Sequence, residues 1–425
     1  MAAKAWTAKA LFRVLGPGLV TGAADDDPSG IATYSQCGAQ FGYALCWTMF
    51  LTTPFMIAIQ LVSARIGAVT GRGLAANLGK ALPRAALYGI VGLLLIANTL
   101  NLAADIAAMG EALRLVIGGV GLVYVIAFGV LCLTAEIAIP YHLYARYLKA
   151  LTLVLFAYVV AAFSVQIPWS EVLGATFLPR LSFSRDFTLT LVAIFGTTIS
   201  PYMFFWQASL EAEERKLRSK ANGAAYAAKR LSERQSTRIW LDTNAGMLLS
   251  NLIGFFIIVT TAATLHVHGK THIGTAAEAA EALRPLAGPL TFILFSTGII
   301  GTGLLAVPVL AGSAGYAVAE SFGWNGSLEL PARRAPGFYL IVAAATTAGL
   351  LVALTPLDPI RMLFWAAVVN GVVAVPLMVA MMIVVASRTI MGRFAASRAL
   401  MIFGWAATAL MAVVVAAMFA TSLGG

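Results

Sequence analysis

The stretch GAADDDPSGIATYSQ, Gly22 to Gln36, governs the reading of this chain: three consecutive carboxylates and a proline stand inside a very apolar sequence. Of the 425 residues, 60% are hydrophobic and only 11% are charged, and the mean hydropathy is +0.87. A soluble domain carries about 25% charged residues. The apolar surplus falls in long runs such as LTFILFSTGIIGTGLLAVPVL, Leu290 to Leu310. Runs of about 20 apolar residues cross a hydrocarbon core of about 30 Å, so the chain reads as an all-α polytopic membrane protein. The basic, then apolar, N-terminal stretch reads as a first membrane helix with no cleavage context. Cys37, Cys46 and Cys132 show no metal-ligand spacing and read as packing residues.

Eleven membrane segments are expected: 11–39 (broken), 43–66, 86–113, 119–140, 144–166, 187–214 (broken), 239–265, 289–320, 336–355, 361–386 and 399–421. Cytoplasmic loops carry excess Lys and Arg. With a cytoplasmic N-terminus and this count, only six of the 28 Lys and Arg fall outside: Arg114, Arg180, Arg185, Lys270, Arg284 and Arg361. The expected topology therefore has the N-terminus cytoplasmic and the C-terminus outside, in the cell or inner membrane. The net charge of +10 reports this asymmetry and not a nucleic-acid partner. The longest cytoplasmic loop, near 211–238, reads as a solvated connector or a surface helix. The outer loop with His266, His268 and His272 reads as polar, with metal binding the lesser alternative.

In the first segment, about 11 apolar residues precede Asp25. At 1.5 Å per residue they climb about 16 Å, which puts the acids near the midplane. In a continuous helix the three carboxylates would point in three directions, and one would face lipid at about 2.5–3.5 kcal/mol. Pro28 disfavours helical geometry at Asp27 and Gly30 loosens the chain, so the helix is expected to unwind over Asp25–Gly30. The sixth segment repeats the device. Gly196, Thr197, Thr198 and Ser200 surround a break at Pro201. Interrupted spans at matching positions of two halves point to an inverted-repeat transporter with a midplane site. The chain then forms one transport domain over 1–425, with repeats at 11–166 and 187–386 and an extra helix at 399–421.

The donors at both breaks are carboxylate, hydroxyl and carbonyl oxygens, which suit hard divalent ions. Asp105, mid-span behind Asn98 and Asn101, reads as linked to transport, since intramembrane acids are functional by default. Glu111 and Glu136 read as interfacial. Asn370 either faces the site or bridges helices, and Gln207 and Asn251 are weaker candidates of the same kind.

At these residues the chain resembles the NRAMP family (natural resistance-associated macrophage proteins), divalent metal transporters of the LeuT-type fold. LGPGLVTGAADDDPSGIATYSQCGAQFGY is similar to the family's Gly-Pro-Gly start and Asp-Pro-Gly-Asn motif, and the ISP break to its Ala-x-x-Met-Pro-His. The resemblance implies two inverted five-helix repeats plus an eleventh helix, and metal binding by Asp27 and the backbone near Gly30 and Thr197. The departures are informative. The family's metal-binding Asn falls on Gly30, its Ala on Thr197 and its metal-binding Met on Ser200. Its two histidines fall on Tyr202 and Gln207, and its Asp-Leu-Ala-Glu becomes Asp105-Ile106-Ala107-Ala108. A thioether helps reject Mg and Ca, and Ser200 removes it. Gly30 deletes a ligand and opens volume for an ion that keeps part of its water. Without histidine, the usual proton carrier near neutral pH is gone.

This pattern is similar to the NRAMP-related magnesium transporters. It implies Mg²⁺ and Mn²⁺ uptake by alternating access, with a partly hydrated ion and no obligatory proton coupling. The expected ligands are Asp27, Gly30, Thr197, Ser200 and Asp26. Asp25, Asp105, Tyr202, Gln207 and Asn370 line the pathway or support the ligands, and Pro28 and Pro201 break the helices. The expected partners are the ion and the bilayer, with no cofactor, no nucleic acid and no obligate protein partner evident. Two rivals remain open: a proton-coupled Mn²⁺/Fe²⁺ symporter, and a sodium-coupled symporter of a cationic organic solute. A non-transporting scaffold does not account for two broken midplane helices, and no nucleophile–base pair or cofactor motif supports catalysis.

Overall fold

The computed structural model describes residues 21–22, 24–139, 153–222 and 233–423, and these form helices with no strand among them. Lys4, Lys9 and Arg13, the start of the fifth expected segment with Arg146 and Lys149, and the loop centre at 223–232 lie outside the described residues. In chain order the main helices are α1 (Pro28–Phe41), α2 (Cys46–Thr70), α3 (Leu74–Ala81), α4 (Arg84–Ile117) and α5 (Gly121–Ala138). There follow α6 (Phe156–Ser164), α7 (Trp169–Phe177), α8 (Arg185–Thr198), α9 (Pro201–Asn222) and α10 (Glu233–Thr264). The last four are α11 (Thr291–Phe322), α12 (Pro336–Ala353), α13 (Pro359–Ala386) and α14 (Arg398–Leu423).

Among the described residues, nine helical stretches are long and apolar enough to cross a bilayer. The pair Leu153–Ser164 and Trp169–Phe177, bent by 119°, adds a tenth or a re-entrant turn. Thus the fifth segment does not end at an open loop near 166. α6 ends at Ser164, and beyond Pro168, the N-cap of α7, the chain continues in α7 at 119° to it. The long connector near 211–238 is also more helical than a solvated loop, since α9 continues to Asn222 and the described part of α10 starts at Glu233.

Burial sorts the helices. The α8–α9 stretch is 94% enclosed, whereas α5 is 28% and α14 is 33% enclosed. The polar, interrupted helices are therefore central, and the uniformly apolar ones present Ile126, Val130, Ile402 and Val413 outward, where lipid tails replace water at no penalty. Small residues let the central helices touch. A Cβ on Gly196 would run into the Ala367 carbonyl and the Gly371 backbone, so α8 and α13 meet main chain to main chain. Gly22 meets Gly246 of α10 in the same way.

Both breaks are present among the described residues, and the first is shorter than expected. Helix persists through Asp25, only Asp26 and Asp27 leave it, and α1 restarts at Pro28, so Gly30 is helical. The reason is local. Asp27 is an extended N-cap (φ −70, ψ 171) with Pro28 at the first helical position, the arrangement that starts a helix most cheaply. In the second segment only Ile199 and Ser200 separate α8 from α9.

Glu136, in the last turn of α5, packs inside the protein. It is 2% exposed and accepts a hydrogen bond from Thr346 of α12 at 2.9 Å.

Candidate metal-binding site

The three aspartates are fully enclosed: Asp25 is 0%, Asp26 3% and Asp27 1% exposed. Their surroundings differ. Asp27 Oδ1 caps α1, accepting from the Gly30 amide at 2.8 Å and the Ser29 hydroxyl at 2.6 Å. Its Oδ2 accepts from the Tyr202 hydroxyl of α9 at 3.0 Å. Tyr202 therefore ties the first turn of α9 to the cap of α1. The carboxylate sits at the partially positive N-terminus of α1 and is bonded by a side chain from the first turn of α9.

The Ser200 hydroxyl is engaged within its own segment. It donates back to the carbonyls of Gly196 at 3.0 Å and Thr197 at 2.8 Å, closing the last turn of α8. Thr197 Oγ1 is buried without a partner. A Cβ on Gly30 would stand 3.3 Å from that oxygen and 3.3 Å from the Asp25 carbonyl. Gly30 and Thr197 thus face one another across the two breaks. The volume expected from Gly30 is partly taken up by the Thr197 side chain.

Asp25 and Asp26 face α10. The Ser250 hydroxyl lies 2.7 Å from Asp25 Oδ2 and 3.0 Å from Asp26 Oδ1. None of the ion pairs found among the described residues reaches the three aspartates. Taking carboxylates out of water without a counter-charge is costly, and a cation removes that cost. Every polar side-chain atom described at this centre is an oxygen, the donor type of hard divalent ions.

The supporting residues fall into two groups. Asp105 is fully buried, both its oxygens lack partners, and it interacts electrostatically with Asp27. Gln207 is buried on α9, where its Oε1 accepts from Thr21 at 2.5 Å while its Nε2 has no partner. Asn370 instead pairs reciprocally with Asn101, at 2.9 and 3.2 Å, and so bridges α13 to α4. Asn98 binds the Leu310 carbonyl and Ser313 of α11. Asn251 spans to Thr53 of α2 at 2.7 Å. The three histidines do not converge. His266 bonds Ala39 and His268 bonds Thr264, and no group of three His, Cys, Asp or Glu able to hold a metal occurs among the described residues.

The site is closed on both sides. On one face, Gln36 of α1 accepts from the Ile273 amide at 2.9 Å and so holds the loop after α10 over the first break. Toward the other face, Ser209 of α9 donates to Glu320 of α11 at 2.8 Å, and Tyr316 of α11 donates to Glu213 of α9 at 2.9 Å.

Sequence reasoning missed Ser250 and Tyr34. Ser250 stands beside Asn251 in the apolar stretch GMLLSNLIGFF, and that mid-span polar pair was the available signal.

Comparison with known proteins agrees with this geometry. The family profile described as "Natural resistance-associated macrophage protein-like" matches residues 18–421. The divalent metal cation transporter MntH of Yersinia enterocolitica is 30% identical over 322 residues, covering 73% of each chain. That of Deinococcus radiodurans is 25% identical over 405 residues, covering 92% of this chain and 86% of its own. Among solved structures, the manganese transporter of Eremococcus coleocola superposes with a TM-score of 0.71 at 16% identity, covering 100% of this chain and 90% of its own. A nucleobase-cation-symport-1 family transporter in a closed conformation reaches 0.58 at 12% identity, covering 96% and 93%. These two likenesses concern the fold: two inverted five-helix repeats with broken first and sixth helices, plus an eleventh helix. The profile spans nearly the whole described chain and the broken helices carry the oxygen donors, so the chain belongs to the Nramp family of multi-pass membrane transporters.

Proposed function

We propose that this chain takes up divalent cations, Mg²⁺ and Mn²⁺, by alternating access, carrying a partly hydrated ion without obligatory proton coupling. The observation that carries the reading is the donor set. Asp27, Asp26, Thr197 and the carbonyls beside Gly30 offer oxygen alone, and neither thioether nor imidazole stands at either break. Ser200, bonded back to α8, enters the ligand set only if it turns during transport. Hard oxygen ligands do not discriminate against Mg²⁺ as a sulfur ligand does.

Transport follows from breaking one closure at a time. Release of Gln36 from the outer loop opens the first face, and release of Glu320 and Glu213 from Ser209 and Tyr316 opens the other. The Lys and Arg asymmetry favours a cytoplasmic N-terminus and an external C-terminus. With that orientation an inside-negative potential drives a doubly charged ion inward by about 4.6 kcal/mol per 100 mV.

A proton-coupled manganese symporter is the second reading. It is favoured by Asp105, buried with two unpartnered oxygens near Asp27, and by the manganese named for the solved relative. Purified protein in liposomes, with a Mg²⁺-sensitive and a pH-sensitive dye inside, separates the two. Mg²⁺ entry without acidification is expected. Mn²⁺ entry with Mg²⁺ excluded and the lumen acidified overturns the magnesium reading in favour of the second.

A further inference from the structure

The unmet negative charge at this centre does not lie where the Asp27 motif would put it. Asp27 holds three donors on its two oxygens, from Ser29, Gly30 and Tyr202. Asp25 and Asp26 share one donor, the Ser250 hydroxyl. A hydroxyl carries a single proton, so it serves one of these carboxylates at a time, and the other meets it as a bare acceptor. Asp25 Oδ1 has no partner among the described residues.

A second observation points to the same spot. The Tyr34 hydroxyl is buried and unpartnered, on a residue 1% exposed, and it interacts electrostatically with Asp25, Asp26 and Asp27. Its ring lies from α1 against α10, at Gly254, one turn from Ser250. A Cβ on Gly30 would lie 3.5 Å from the ring, and one on Gly254 of α10 would lie 2.9 Å from it. Only a residue without a side chain at 254 lets the phenol lie there. The Gly22–Gly246 contact holds α10 against the same segment just before the acids.

We propose that Asp25 and Asp26, with the hydroxyls of Ser250 and Tyr34, form a second station for a hard divalent cation, on the α10 side of the first break. Two carboxylates supply the charge that a divalent ion neutralises, and two hydroxyl oxygens complete a donor set that contains no sulfur or nitrogen. The ion passes between this station and Asp27 as the breaks rearrange. Asp26 then serves this station and leaves the Asp27 ligand set, and Asp25 holds the cargo itself rather than lining its route. The inference rests on the reading of the chain as a divalent-cation transporter.

Mn²⁺ binding to purified full-length protein, counted by equilibrium dialysis and electron paramagnetic resonance, tests it. Asp27→Asn is expected to retain about one Mn²⁺ per chain, and the double variant Asp25→Asn/Asp26→Asn also about one. The triple variant is expected to bind none. Adding Ser250→Ala is expected to weaken binding about tenfold in the Asp27→Asn background and to leave it unchanged in the double variant. If Asp27→Asn binds no Mn²⁺ while the double variant does, the second station is overturned and the Asp27 site stands. If neither binds, the carboxylates form one shared site and the station is overturned as a separate position. If only Asp27→Asn binds, the station stands and Asp27 leaves the ligand set. Should a carboxylate variant fail to fold, Ser250→Ala alone decides. Mg²⁺ uptake in liposomes is then expected to lose about tenfold in maximal rate with KM unchanged, and an unchanged rate overturns the station.

Discussion

The two breaks look alike in sequence and behave differently in the fold. At the first, the chain leaves helix at two acidic residues whose charge is met only by neutral donors from α1, α9 and α10. At the second, the chain leaves helix at Ile199 and Ser200, and the Ser200 hydroxyl returns to the carbonyls of its own turn. One break carries charge that calls for a counter-ion. The other is nearly self-satisfied and supplies shape and neutral oxygens. A proline alone does not make a cation site. What matters is whether the freed groups find partners within their own segment.

The largest effect should come from the charged break. Asp27→Ala is expected to abolish Mg²⁺ and Mn²⁺ uptake, by about a hundredfold or more, in protein that still elutes as a single species. Uptake near the parent rate would remove Asp27 from the transport cycle and erase the contrast. Next, Tyr202→Phe takes away the one bond that links the two breaks through Asp27. Hydrogen bonds to charged groups contribute about 1.5–3 kcal/mol, so at least a tenfold fall in kcat/KM is expected. An unaltered value would mean the breaks act independently.

Selectivity probes the neutral break. Gly30→Asn alone is crowded by Thr197, because even a Cβ at residue 30 stands 3.3 Å from its hydroxyl. The combination Gly30→Asn, Thr197→Ala and Ser200→Met relieves the crowding and adds an amide and a sulfur. The Mn²⁺ to Mg²⁺ uptake ratio is expected to rise by about 1 kcal/mol, or roughly fivefold. An unchanged ratio would show that the second break does not choose the ion. The smallest effect is expected at Asn370. Asn370→Ala removes the α13–α4 bridge and leaves Asn101 short of partners, at a cost of about 1–3 kcal/mol in stability. The uptake ratio should stay constant. A shifted ratio would return Asn370 to the ion pathway.

Much of this was legible before the fold was known. Hydropathy marks where the chain crosses the membrane, and Pro28 and Pro201 mark where two crossings fail. The engagement of Glu136 by Thr346 was not legible because the partner lies on another helix. The length of the first break was misjudged because Asp27 caps the helix that follows it, so the chain unwinds for two residues only. Ser250 was overlooked because one serine in an apolar helix has no meaning until the residue it faces is known.

The sequence by itself determined the membrane class, the two interrupted segments and the hard-oxygen character of the donors. These follow from local chemistry: transfer of apolar side chains out of water, the missing amide of proline and the identity of each ligand atom. Only the tertiary structure decided which oxygens are already engaged and which remain open. Asp25 meets Ser250 across 225 positions of chain, and Asp27 meets Tyr202 across 175. Hydrogen bonds act over about 3 Å, so the pairing of groups so far apart in sequence is set by how the helices pack.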